Sequence, residues 1–138
     1  AALGLNLLQQ KKHKEAEAIL RECLIIREKT QPDAWTTSNT MSMLGEALLG
    51  QAESVSDEGE KTRLLAEAET LLLKGYEGMK ARFDGTPETD NTRAAMQPRI
   101  IEALDRLIAL YTALKKPDEV EKYQEVRRQF SGSEESKQ

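Results

Sequence analysis

The 138-residue sequence predicts an all-α fold, an α-solenoid of about three antiparallel helical hairpins containing six helices. Two internal repeats carry this prediction. The pattern of residues 3–10 recurs 41 residues later at 44–51, and that of residues 15–20 recurs 52 residues later at 67–72. Self-similarity over a few tens of residues is typical of stacked helical hairpins. The low aromatic content, 4%, also favours helix on helix over a β-sandwich.

The composition narrows the classes of function. Apolar residues make up 38% of the chain and charged residues 32%, which is typical of a soluble helical protein. A net charge of −4, with both signs interleaved, argues against a nucleic-acid partner. No apolar run approaches the length of a membrane span, and no export signal opens the chain. With Cys23 as the single cysteine, we expect a cytoplasmic protein without membrane partners.

The spacing of apolar residues and the positions of turn residues predict where the helices begin and end. We predict helices at residues 2–10, 14–30, 34–51, 61–82, 97–114 and 117–130. They form three hairpins, at residues 1–30, 34–83 and 97–130, which together make one domain over residues 1–130. Residues 54–60 and 84–91 are expected to be polar loops, Pro98 to lie in the first turn of the fifth helix, and residues 131–138 to form a disordered tail.

Two further features concern the glycines of the fourth helix and the length of the first helix. Gly75 and Gly78 inside the fourth helix indicate a close approach of another backbone, because glycine otherwise weakens a helix by about 1 kcal/mol relative to alanine. The first helix is shorter than its counterpart in the second hairpin. We therefore expect the chain to be an excerpt from a longer protein.

The spacing of small and apolar residues resembles the tetratricopeptide repeat signature. Its first copy comprises Leu3-Gly4, Leu7, Ala16, Leu20 and Cys23. Its second copy comprises Leu44-Gly45, Leu48, Ala68, Leu72 and Gly75. The third hairpin keeps Leu107, Tyr111 and Val120, but has Ile108 in place of the glycine. Gln124 and Arg127 give its last helix the polar character of a terminal cap.

Residues 15–35 and 72–78 are similar to the long repeats of the kinesin light chain type, which in bacteria often follow a serine/threonine kinase domain. This resemblance implies a right-handed superhelix, a role in protein–protein interaction and attachment to a bacterial kinase. It implies no catalysis within the chain, because the phosphate loop and catalytic motifs of a kinase are missing. No cofactor or metal is implied.

The resemblance also places a binding groove on the first helix of each hairpin, where a peptide would lie. The groove residues are expected to be Gln9, Asn39, Ser42, Glu46, Leu49, Glu102, Asp105, Arg106 and Ala109, together with Leu5 and Thr112. Among these, Glu46, Glu102 and Arg106 are expected to alter partner affinity with little effect on stability.

Two ligand types known for such repeats do not fit these residues. A clamp for a terminal carboxylate would need basic and amide side chains where Leu5, Met43 and Glu102 stand, and only Arg106 matches. The asparagine pair of kinesin light chains is replaced by Ser42 and Met43.

Several residues have both a functional and a structural interpretation. We favour the structural one: packing for Cys23, a hydrated turn for His13, core packing for most of the methionines, and packing between repeats for Trp35. The acidic pairs that open each second helix, such as Glu15 and Glu17, are assigned to helix-dipole stabilisation. Leu5 and Leu49 serve either as apolar ligand contacts or as cover for the open end of the first helix.

Three functional hypotheses follow. The leading one is a scaffold that binds a peptide or partner protein in the groove. The second is a structural spacer or a self-association module that stacks on another copy through its first helix. The third, an enzyme, has the least support, because the sequence contains neither a phosphate loop nor a nucleophile beside a base.

Overall fold

The computed structural model describes residues 2–135, and side chains as far as residue 131. This part of the chain is all-helical and contains no strand, which confirms the predicted class and the six helices. The helices are α1 (Ala2–Gln9), α2 (His13–Thr30), α3 (Trp35–Ser54), α4 (Glu58–Asp84), α5 (Asn91–Ala113) and α6 (Pro117–Glu135). None of them is long and apolar enough to cross a membrane.

Each helix packs against the next along the chain, and α3 also contacts α1 and α5. Two apolar clusters hold this arrangement together. One lies between α1, α2 and α3 and includes Leu20 and Leu44. The other joins α3 to α6 and includes Leu72, Leu104 and Tyr123. Since α3 contributes to both clusters, it is the central element of the fold.

The internal repeat of the sequence corresponds to a repeated contact. A Cβ atom on Gly4 would lie 2.6 Å from Leu20 Cδ2, and one on Gly45 would lie 2.6 Å from Leu72 Cγ. Glycine thus lets α2 approach α1 closely and α4 approach α3 closely, with a leucine filling the space in each case. The spacing of glycine and leucine that recurs within the sequence therefore reflects this packing.

The tightest approach is between α3 and α4. A Cβ atom on Gly75 would lie 2.7 Å from the carbonyl oxygen of Ser38, and one on Gly78 would lie 2.2 Å from Ser38 Oγ. This confirms the close approach predicted from the two glycines. It also explains why this 27-residue helix carries two glycines, residues of poor helix propensity, in its second half.

The assignment of side chains to the core is largely confirmed. Met43, Met79 and Met96 are buried, and Met41 is partly buried. Trp35 is partly buried against the α3–α6 cluster, as expected for packing. Cys23 is partly buried on α2.

The loop predicted at residues 54–60 is wrong in extent, because only residues 55–57 separate α3 from α4. The Asp57 carboxylate accepts a hydrogen bond of 2.9 Å from the Glu60 amide, so α4 begins at Glu58. An aspartate in this position satisfies one of the free amides of the first turn.

The predicted start of the fifth helix and the position of Pro98 are also wrong. Asp90 accepts a hydrogen bond of 2.9 Å from the Thr92 amide, and α5 begins at Asn91, so Pro98 lies inside the helix. Arg93 holds this added turn in place. Its guanidinium lies 4.1 Å from the centre of the Phe83 ring, and it donates a hydrogen bond of 2.8 Å to the Thr86 carbonyl.

The sixth helix continues to Glu135, five residues into the segment predicted as a disordered tail. No proline interrupts the sequence there, and Arg127 donates a hydrogen bond of 3.4 Å to Ser131 Oγ one turn later. The last part of the predicted tail, residues 136–138, lies outside the described residues.

Candidate functional site

A groove of about 450 Å³ lies between α1, α3 and α5 and is the candidate binding site. The helix α3 contacts both of the others, whereas α1 and α5 make no contact with each other in the described part of the chain. The groove therefore has α3 as its floor and α1 and α5 as its sides. We call this surface the odd-helix groove. Its lining residues are Leu5, Leu8, Gln9, His13, Glu46, Leu49, Gly50, Glu53, Glu102, Asp105, Arg106 and Ala109.

Seven of the nine groove residues expected from the sequence line this surface. They are Gln9, Glu46, Leu49, Glu102, Asp105, Arg106 and Ala109. The structure places the other two elsewhere. Ser42 is fully buried beneath the groove. Asn39 is partly buried one turn away, and its Oδ1 atom has no hydrogen-bond partner among the described residues.

Arg106 is a structural residue of the contact between α3 and α5. Its Nε atom lies 2.6 Å from Glu46 Oε1 and its Nη1 atom donates a hydrogen bond of 3.0 Å to Ser42 Oγ. The residue is only 7% exposed. Charge reversal at Arg106 is therefore expected to lower the stability of the chain, unlike the sequence-based expectation, because it would place a second carboxylate against Glu46 at a largely buried position.

The other carboxylates of the groove are accessible. Glu102 pairs with Arg99 at 2.9 Å, and Asp105 pairs with Arg127 at 2.5 Å. In both ion pairs the side chains are about 35–51% exposed, so a ligand can compete with the arginine. Glu53 is exposed and forms no ion pair within the described part of the chain.

The apolar part of the groove is small. Leu8 and Leu49 are buried at its base, Leu5 is partly exposed and Ala109 is exposed. A ligand thus meets a short apolar floor with acidic side chains around it.

His13 differs from its predicted role as a hydrated turn residue. It is the first residue of α2, is partly buried, and packs on α3. A Cβ atom on Gly50 would lie 2.3 Å from two atoms of the His13 ring. The ring therefore fills one end of the groove, which the sequence did not indicate.

The assignment of the acidic pairs to the helix dipole is wrong for Glu67 and Glu69, because α4 begins at Glu58 and both residues lie well inside it. The pairs of α2 and α4 instead make contacts between helices. Glu17 accepts a hydrogen bond of 2.6 Å from Gln51 Nε2 of α3, and Glu69 accepts one of 2.7 Å from the Tyr111 hydroxyl of α5. Burial and the bond to Glu69 raise the pKa of Tyr111 well above its ordinary value. In both cases the second acid of the pair reaches the following odd-numbered helix.

Arg21 extends the contact made by Glu17. It lies 2.7 Å from Glu17 Oε2 and 2.9 Å from Glu67 Oε2, so it bridges α2 and α4. The i, i+4 spacing of Glu17 and Arg21 in the sequence indicates their pairing, but the links to Gln51 and Glu67 were missed. The one available signal was the recurrence of Glu17 as Glu69 at the same 52-residue displacement.

The remaining chemistry of the described residues is sparse. No group of three or more His, Cys, Asp and Glu side chains among them could hold a metal ion. A second depression of about 580 Å³ lies at the α5–α6 turn, between Tyr111, Lys116 and Arg128.

No protein-family model, curated protein or solved structure matches the chain.

Proposed function

We propose that this chain is a protein-interaction scaffold that binds a peptide segment of a partner protein in the odd-helix groove. One observation carries the proposal. The resemblance to tetratricopeptide repeats implied nine groove residues on the first helix of each hairpin, and seven of them line a single groove. Scaffolds of stacked helical hairpins bind partners on such a surface.

The architecture that accompanies this proposal is a tetratricopeptide-like α-solenoid forming a right-handed superhelix. It is supported by the equivalent contacts of Gly4 with Leu20 and of Gly45 with Leu72, and by the contacts of α3 with both α1 and α5. The resemblance to kinesin-light-chain-type repeats extends the proposal to a bacterial, cytoplasmic signalling protein linked to a kinase. In this proposal the chain has no catalytic activity of its own.

Panning a peptide library against the purified chain tests the proposal. Ala109→Arg places a long side chain in the groove from an exposed position, and should abolish binding of the enriched peptides without unfolding the chain. The matched control is Ala66→Arg on the exposed face of α4, away from the groove. Enriched peptides that bind both variants equally would show that the groove is not the site.

One observation favours the alternative of self-association. Leu3 is 57% exposed, whereas Leu44, its counterpart 41 residues later, is 1% exposed and packs with Leu20 of α2. A second copy of α1 could cover Leu3 in the same way. Light scattering should then show a concentration-dependent dimer that Leu3→Glu dissociates. A monomer at every concentration would exclude this alternative.

A further inference from the structure

We propose that the odd-helix groove selects a basic peptide segment, whose lysine or arginine side chains pair with the groove carboxylates. This inference rests on the proposed function, because it assigns a chemical class to the peptide that the groove would bind.

The charges that face the groove are mainly acidic. Four carboxylates line it, those of Glu46, Glu53, Glu102 and Asp105, against the single guanidinium of Arg106. Arg106 and Glu46 neutralise each other in their ion pair, and Arg106 is buried, so its charge is not offered to a ligand. Glu46 is 34% exposed and uses only its Oε1 atom in that pair, and the carboxylates of Glu53, Glu102 and Asp105 remain. The remaining lining charge is therefore negative, and complementary charge fixes which partner is accepted.

The helices around the groove provide little to attract an anion. The helix α1 has no charged side chain, and α3 has no basic one. Lys11, Lys12 and Lys14 lie nearby, but they line a separate depression with Gln51 and Ser54. Arg99 and Arg127 bind Glu102 and Asp105 without lining the groove themselves, and these exposed ion pairs are weak.

The orientation of α1 and α3 also favours the binding of a cation in the odd-helix groove. Among the lining residues, Leu8 and Gln9 lie in the last turn of α1, and Glu53 lies in the last turn of α3. The carboxyl end of a helix carries a partial negative charge that stabilises nearby cations. This contribution comes from the backbone and is independent of the acidic side chains.

The spacing of the carboxylates indicates the form of the ligand. Glu46 and Glu53 lie on one face of α3, about 10 Å apart along its axis at about 1.5 Å per residue. A peptide in the polyproline II conformation, with a rise of about 3.1 Å per residue and three residues per turn, covers that distance in about three residues and presents every third side chain to the same side. Basic side chains at every third position, with small apolar residues between them over Leu5, Leu49 and Ala109, would match the groove.

Fluorescence anisotropy with three short labelled peptides tests this inference. The peptides are identical except that every third position is Lys, Gln or Glu. We expect the Lys peptide to bind about tenfold or more tightly than the Gln peptide, the Glu peptide to bind least, and added salt to weaken the Lys peptide.

The double variant Glu53→Gln/Glu102→Gln removes two exposed groove carboxylates, and should weaken binding of the Lys peptide about tenfold. The matched control Glu28→Gln/Glu88→Gln makes the same charge change at exposed positions outside the groove, and should leave affinity unchanged.

Other outcomes would overturn the inference in distinguishable ways. Equal binding of the three peptides, or equal weakening by the groove and control variants, would reject the basic ligand. If library peptides of another charge bind and Ala109→Arg abolishes their binding, the groove is a peptide-binding site but its ligand is not basic. If no peptide binds, both proposals fail.

Discussion

Lys11 and Lys115 adopt the left-handed backbone conformation, with φ angles of 60° and 57°. Both occupy the same position in a repeated helix end. The Lys12 amide bonds to the Leu7 carbonyl and the Lys116 amide to the Tyr111 carbonyl, each at 2.9 Å. This bond, from the residue just past the left-handed one, defines a Schellman motif, in which glycine is the usual left-handed residue.

Glycine at either position should therefore stabilise the chain. We expect Lys11→Gly and Lys115→Gly each to raise the free energy of unfolding by about 0.5–1 kcal/mol, because a side chain is strained in this conformation. Urea unfolding followed by circular dichroism measures the change. The control Lys12→Gly, at a position with φ of −92°, should bring no gain. A loss of stability in Lys11→Gly would contradict this account.

Glu17 should make stability depend on pH. Burial alone would raise the pKa of Glu17, but the hydrogen bonds from Gln51 and Arg21 outweigh it, and the net pKa is below the ordinary value. A lowered folded-state pKa contributes stability above the unfolded value of about 4.3, and this contribution is lost as the pH falls through the folded value.

We therefore expect Glu17→Gln to destabilise the chain by about 1–2 kcal/mol at pH 7, since hydrogen bonds to a charged group are lost. The difference from the unsubstituted protein should shrink below about pH 4. Urea unfolding at both pH values provides the test. Glu28→Gln, an exposed carboxylate on the same helix, is the control and should change stability little at either pH. An equal loss from Glu17→Gln at both pH values would assign its role to packing.

At the scale of the elements, the sequence predicted all six helices, because apolar spacing reports the buried face of each one. It missed the starts of α4 and α5, since Asp57 and Asp90 lie in polar stretches that were assigned to loops. Both aspartates cap their helices through side-chain bonds of 2.9 Å. For α4 a signal was present, because Asp57 is followed three residues later by Glu60, the spacing of a capping box.

The close approach of α3 and α4 can be tested by adding a methyl group at Gly75. Gly75→Ala should destabilise the chain by about 1–3 kcal/mol, because the added Cβ would meet the Ser38 carbonyl and the Ser42 amide, which are backbone atoms of α3. Gly59→Ala in the same helix is the matched control. Only Asp57 lies near its Cβ, at 3.4 Å, so this variant should be neutral or slightly more stable.

Thermal unfolding of the two variants compares them directly. If Gly75→Ala were as stable as Gly59→Ala, the close approach of α3 and α4 would not hold.

At the scale of the whole molecule, the resemblance to tetratricopeptide repeats indicated most of the residues that line the groove, because it assigns the first helix of each hairpin to one surface. It did not predict the buried pair of Arg106 and Glu46. These residues are 60 positions apart, and their contact depends on the distance and rotation between α3 and α5. Repeat spacing carries no information about either quantity.

A solenoid also predicts how the chain unfolds. Repeats that contact only their neighbours open locally. Leu20→Ala removes a buried side chain from the α1–α3 cluster and should cost about 2–5 kcal/mol. Hydrogen exchange should then speed up in α1 and α2, while α4 to α6 keep their protection. Equal acceleration in all six helices would indicate one cooperative unit, contrary to the proposed architecture.

The central claim is that the odd-helix groove binds a peptide, and amide chemical-shift mapping tests it most directly. The isotope-labelled chain would be titrated with the Lys peptide and followed by two-dimensional NMR. We expect the largest shifts at Gln9, Glu53 and Ala109, with little change on the exposed faces of α2 and α4. Shifts concentrated on α2, α4 or α6 would place the site elsewhere, and the groove would then be no binding surface.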